Sequence, residues 1–188
     1  MCSDYMQPLR VLTNLLEKTC NKEHYLFSDK DLRQVLPRIS DAAFMTLLSR
    51  AAASCHIDRI CRNLYGYKAS KYSNGLLLFH AASYLRSKEF NYISLETILS
   101  DTGIISQIPM QYITIMTSGR SNKISCGTFG TIEFIHTVQK PKEIMDHLYY
   151  DVDCRLWKAS IAQALRDIKK AHRNTSLINW ELASEFVR

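Results

Sequence analysis

Leu9, Leu12 and Leu16 fall on one helical face just after Pro8, a residue suited to a first turn, so 8–20 reads as a helix. Ser28 precedes DKDLRQVLP, where Asp29 and Asp31 favour a helix start and Pro37 ends a short second helix. Ser40 caps a third helix, DAAFMTLLSRAAAS, whose Phe44, Leu47, Leu48 and Ala51 at i, i+3, i+4 and i+7 form a buried stripe. Thr46, Ser49, Arg50 and Ala53 form the opposite stripe. Ile57 and 59–61 then read as extended, Arg62-Asn63 as a turn, and 64–67 as a returning strand. Three short helices followed by a basic hairpin predict a winged helix-turn-helix over residues 1–72, with ASKYSNG (69–75) as a linker.

The remainder, 73–188, reads as a mixed α/β domain with a small antiparallel sheet and C-terminal helices, which makes the chain α+β. Leu78, Ala81, Ala82 and Leu85 mark a helix, with His80 beside its buried face as a satisfied core histidine. Ser94 is the cap expected for a short helix ended by Gly103. The pattern then changes to period two: Ile113 and Ile115, later Ile132 and Phe134, alternate with Thr114, Met116, Thr131 and Glu133, as in half-buried antiparallel strands. Between them TSGRSNKISCGTFG reads as a turn at 118–122, a strand at 123–126 and a second turn at 127–130. Trp157, Ile161, Leu165 and Ile168 share a helical face, with Arg166, Lys169, Lys170 and Arg173 as a basic edge beside it. Ser176 is the expected cap of a last helix that packs Ile178, Leu182 and Phe186 inward.

Composition narrows the class. Of the 188 residues, 46% are hydrophobic and 22% charged, as in a folded globular chain and unlike a disordered one. No apolar run nears the roughly 20 residues that span a bilayer, and MCSDYMQPLRVL lacks the layout of a secretory signal; the expectation is a cytoplasmic protein with no membrane partner. The cysteines, Cys2, Cys20, Cys55, Cys61, Cys126 and Cys154, are widely and irregularly spaced and read as thiols. The net charge is +6, concentrated in residues 1–74, where 11 Lys and Arg face 7 Asp and Glu. A basic first third fits nucleic-acid binding.

Candidate chemistry points away from catalysis. TSGRSNKISCGTFG has the composition of a phosphate loop but not its spacing: Lys123 precedes Ile124, and a strand pattern follows rather than a helix. His136 with Ser118 or Cys126 is a weak dyad, and Asp151 with Asp153 reads as an exposed acidic turn between helices. Cys55, His56 and Cys61 supply three metal ligands without a fourth, so no metal or cofactor is expected. The DNA-binding candidates are Ser40, Thr46, Ser49 and Arg50 on the third helix, with Arg59, Arg62, Asn63 and Lys68 on or beside the hairpin. Arg50 is placed to read guanine or hold a phosphate; Asp41 opposes phosphate at the start of the same helix. Arg120, Lys123, Arg166, Lys169, Lys170 and Arg173 are further candidate contacts for a partner or nucleic acid.

Four runs in order carry a resemblance: YISLE at 92–96, GIISQIP at 103–109, TSGRS at 117–121 and FGTIEFIH at 129–136. With IDRICRNLYGY before them, they resemble the AbiEi family of antitoxins of type IV toxin–antitoxin and phage-resistance systems, over roughly residues 27–170. Asn63 stands where the family's wing commonly has glycine. The resemblance implies a transcriptional autorepressor that binds inverted repeats in its promoter DNA; a monomer or weak dimer is the expected state. It also implies an antitoxin that counters a nucleotidyltransferase-like toxin, without a stable complex. A protein-interaction adaptor that binds no DNA is the alternative that Asp41 and the sparse cations of the third helix support.

Overall fold

The computed structural model describes residues 7–106 and 111–186, so Cys2 and the Gln107–Pro109 part of the GIISQIP run lie outside the described residues. The chain is α+β and divides into two compact units, Met1–Leu77 and Leu78–Arg188.

The first unit runs α1 (Pro8–Thr19), β1 (Leu26–Ser28), α2 (Asp29–Val35), α3 (Asp41–Ala53), β2 (Asp58–Cys61), β3 (Leu64–Gly66) and α4 (Ala69–Ser73). Local chemistry sets these boundaries. Pro8 opens α1. Ser28 and Asp31 close a reciprocal capping box on α2, each side chain bonding the other's backbone N–H. The Ser40 hydroxyl accepts from Ala43 N–H at the start of α3. Leu12, Leu16, Leu32, Phe44, Leu48 and Ala51 then meet in one core with Tyr65 from the sheet. The sheet is antiparallel in the order β1-β3-β2, with Leu26 opposite Gly66 and Arg59 opposite Tyr65. Asn63 makes the turn at φ 61, a left-handed conformation that asparagine tolerates. The Ser28 cap stands, and the residues leading into it, Leu26–Ser28, also form a strand. One reading needs correction: residues 69–73 are a helix with buried Ala69 and Ser73, not linker.

The second unit contains α5 (Leu77–Leu85), β4 (Asn91–Ile93), α6 (Glu96–Asp101), β5 (Tyr112–Thr117), β6 (Asn122–Ser125), β7 (Thr131–His136), α7 (Pro141–Ile144), β8 (Leu148–Asp151), β9 (Leu156–Ala159), α8 (Ile161–Lys170) and α9 (Trp180–Glu185). Its sheet has six strands in the order β6-β7-β5-β4-β9-β8. It is mixed, not the small antiparallel sheet expected: β5 with β7 and β4 with β9 are parallel pairs. β7 sits between β5 and β6, so the chain leaves β5, lays down β6 at the edge and returns to fill the gap. β5 is buried on both faces, Thr114 and Met116 included, which is why its alternation does not mark a solvent side.

Further corrections fall around this sheet. The helix after Ile93 is capped by Leu95 at φ 59, while Ser94 turns its hydroxyl into the protein interior. Trp157 lies in β9, not on a helix, and the Asp151–Asp153 turn joins two strands. The last helix is capped by Asn179 rather than Ser176, and Phe186 is 48% exposed rather than packed inward. Among the described residues, no helix is long and apolar enough to cross a membrane.

Candidate nucleic-acid interface

Of the sequence-derived contact residues, those of the first unit stay at the surface. Thr46, Ser49 and Arg50 are exposed on α3, and Arg59, Arg62, Asn63 and Lys68 are exposed on or beside the β2–β3 hairpin. The hydroxyls differ from expectation: Thr46 Oγ1 donates to the Ala42 carbonyl at 2.9 Å and Ser49 Oγ to Met45 at 3.0 Å. With their hydrogens held by the helix backbone, they offer a ligand acceptor lone pairs, not the donors read from sequence. Ser40 is likewise engaged as a cap. Arg50 remains the cation on the outer face, and with Thr46 it lines a groove of about 460 Å³ bounded by Pro8, Leu9 and Ile39. Lys68 lies 4.9 Å from the centroid of the Tyr67 ring, with Glu17 4.0 Å from its ammonium.

Asp41 has a neighbour that sequence reading missed. Arg33 Nε stands 3.2 Å from Asp41 Oδ1. The same guanidinium donates to the carbonyls of Leu36 and Ile39 and lies 5.3 Å from the centroid of the Phe44 ring. Arg33 thereby fastens the α2–α3 turn and offsets part of the charge at the start of α3. The Asp41 side chain is still 93% exposed, so an exposed pair of this kind contributes at most about 1 kcal/mol.

In the second unit the basic candidates separate. Arg166, Lys169 and Lys170 are exposed on α8. Lys170 Nζ donates to Gln139 Oε1 at 2.9 Å, and Lys169 faces the Trp180 ring. Arg173 does not belong to this edge. Its guanidinium donates to Glu96 Oε1 at 2.6 Å and to Glu133 Oε2 at 2.9 Å, clamping the chain after α8 to α6 and β7. Burial works to raise the Glu133 carboxyl, but hydrogen bonds from Tyr112 and Arg173 outweigh it and hold the group below its ordinary value. Arg120 is exposed, its carbonyl accepting from Arg86, and Lys123 lies 5.0 Å from the centroid of the Tyr112 ring.

A polar network in this unit was also missed. Asp167 is fully buried and accepts from Ser94 Oγ at 2.7 Å and from Gln139 and Gln163 side-chain amides at 2.8 Å. Gln139 reaches on to the Tyr92 hydroxyl at 3.3 Å. The available signal was Gln163 and Asp167 at i, i+4, polar residues on the face that Ala164, Leu165 and Ile168 take into the core. The network joins α8 to the end of β4 and to the segment after β7, and its partners are neutral donors.

The other candidates for chemistry are apart or engaged. His136 Nδ1 bonds the Gly119 carbonyl at 2.7 Å, and Ser118 Oγ accepts from Phe90 N–H. Asp151 pairs with Lys158 at 3.0 Å while Asp153 is exposed. Cys55 and His56 are exposed and Cys61 is buried; among the described residues no group of three or more His, Cys, Asp or Glu side chains is placed to hold a metal ion. No protein-family model matches this sequence, and no curated protein matches it.

Proposed function

We propose that the chain is a DNA-binding autorepressor and antitoxin of the AbiEi kind, with its first unit a winged helix-turn-helix that docks α3 in the major groove. The observation that carries the reading is the first unit's order, α1-β1-α2-α3-β2-β3, with the strands paired β1-β3-β2. That order leaves α3 with a free outer face and follows it with a hairpin whose exposed residues include Arg59 and Arg62. Small residues, Ala42, Ala43 and Ala53, are exposed on α3, which suits close approach to base edges. Arg50 is the base-reading or phosphate-holding cation; Arg59, Arg62 and Lys68 contact backbone phosphate. The antitoxin half rests on the ordered motifs of the second unit, and its partner is a nucleotidyltransferase-like toxin.

Electrophoretic mobility shift with the region upstream of the gene tests the DNA half. Salt-sensitive binding to that duplex is expected, and Arg50→Ala is expected to cost roughly 1–3 kcal/mol and relax preference at one base pair. Absence of binding at low ionic strength removes the reading. One observation favours a second reading, a protein-interaction adaptor: α3 exposes Asp41 and Met45 beside its single outer cation. Stoichiometric capture of a partner protein by a chain that binds no duplex supports that alternative.

A further inference from the structure

A second concave surface lies between α8 and α9, with a volume of about 670 Å³. Ala162, Leu165 and Ala183 supply apolar lining. Trp180 and Phe186 also line it and are 47% and 48% exposed. Arg166 and Lys169, one turn apart on α8, add two exposed cations, and Lys169 Nζ lies 5.4 Å from the centroid of the Trp180 ring. Among the described residues the lining contains no carboxylate; Glu181 and Glu185 of α9 are exposed outside it.

The flat Trp180 ring in an apolar groove beside two cations is complementary to a flat aromatic beside an anion, which is the chemistry of a nucleotide. The polar inventory decides between a free nucleotide and a strand. Selective small-molecule sites aim several polar groups at one ligand. Among the described lining residues the neutral polar side chain is Ser184, whose hydroxyl already donates to the Glu181 carbonyl at 2.7 Å. Such a groove stacks a base without reading its edge, as single-strand binding surfaces do. Lys170, exposed next to Lys169, extends the positive charge along α8 past the groove.

We infer that the α8–α9 groove binds single-stranded nucleic acid, with a base stacked on Trp180 and backbone phosphates held by Arg166 and Lys169. The site is in the second unit and uses none of the residues assigned above to duplex DNA.

The test reads the groove itself. In the full chain carrying Trp157→Phe, Trp180 is the one remaining tryptophan of two. Titration with an oligothymidylate of about ten nucleotides at low salt is expected to quench its fluorescence saturably, with affinity falling as salt rises. Arg166→Glu with Lys169→Glu, both at exposed positions, is expected to abolish the quench while the circular dichroism spectrum is kept. Trp180→Leu in the otherwise native chain is expected to weaken binding of a labelled oligonucleotide ~10-fold, measured by anisotropy. No quench overturns the inference, as does undiminished binding by the double charge reversal. Equal saturation by thymidine monophosphate shows a free-nucleotide site instead and overturns the single-strand assignment. Equal quenching by poly-glutamate shows an acidic-protein surface and overturns it as well.

Discussion

Asp167 is held without solvent by three neutral donors, from Ser94, Gln139 and Gln163. Removing the carboxylate leaves those donors buried and unpaired, at roughly 1–3 kcal/mol each when no water replaces the partner. Asp167→Ala is therefore expected to lower the second unit's stability by about 3 kcal/mol or more in urea unfolding, and the isosteric Asp167→Asn by less. His80 is the residue whose role periodicity alone anticipated: buried in α5, its ring bonds the Asp153 carbonyl at 2.7 Å. Burial lowers its pKa from the ordinary 6.5, although the carbonyl works in the other direction. The unfolded chain thus takes up the proton first. The His80 contribution is complete above pH 6.5 and is lost as pH falls through the depressed folded value. His80→Gln, which keeps an N–H donor and cannot titrate, is expected to flatten that part of the stability–pH curve. A curve unchanged by the substitution contradicts this role.

At the scale of elements, α1, α2 and α3 were legible because each carries its own punctuation, whereas α4, without a side-chain cap, read as linker. Pro8, the Ser28–Asp31 box and the Ser40 cap mark starts, and the Phe44, Leu48 and Ala51 stripe marks the buried face. Non-local pairing was not legible. LYYD and LWKA are short, apolar and aromatic, so Trp157 joins a helical pattern as readily as a strand, and only pairing of Tyr150 with Trp157 across the hairpin decides. Likewise, nothing local tells β7 to enter between β5 and β6. One residue where that path is enforced is Gly130, at φ +123, whose added Cβ would stand 2.1 Å from the Gln111 carbonyl oxygen. Gly130→Ala is expected to destabilise the second unit by about 3 kcal/mol, since strained backbone and a backbone clash combine. A thermal transition within 1 °C of the native protein's, a loss of only a few tenths of a kcal/mol on the order-of-magnitude scale, contradicts that expectation. The candidate site divides along the same line: α3 and the hairpin were found from local pattern, whereas Arg33 beside Asp41 and Arg173 between Glu96 and Glu133 depend on neighbours eight or more positions away.

For the whole molecule, the two units carry different proposed tasks on one basic chain. The net charge of +6 gives a general attraction to nucleic acid, so affinity alone discriminates poorly between a regulator and a merely cationic protein. Salt dependence and sequence preference discriminate better. A phosphate contact at Arg62 predicts that Arg62→Ala weakens all duplexes alike and lowers the salt slope by about one. The most direct measurement is fluorescence anisotropy of the full chain against the duplex upstream of its own gene and a shuffled duplex of equal length, across a salt series. The account predicts tighter binding to the upstream duplex at every salt concentration, and loss of that preference in Arg50→Ala. Equal affinity for both duplexes, or no binding to either at low salt, contradicts it.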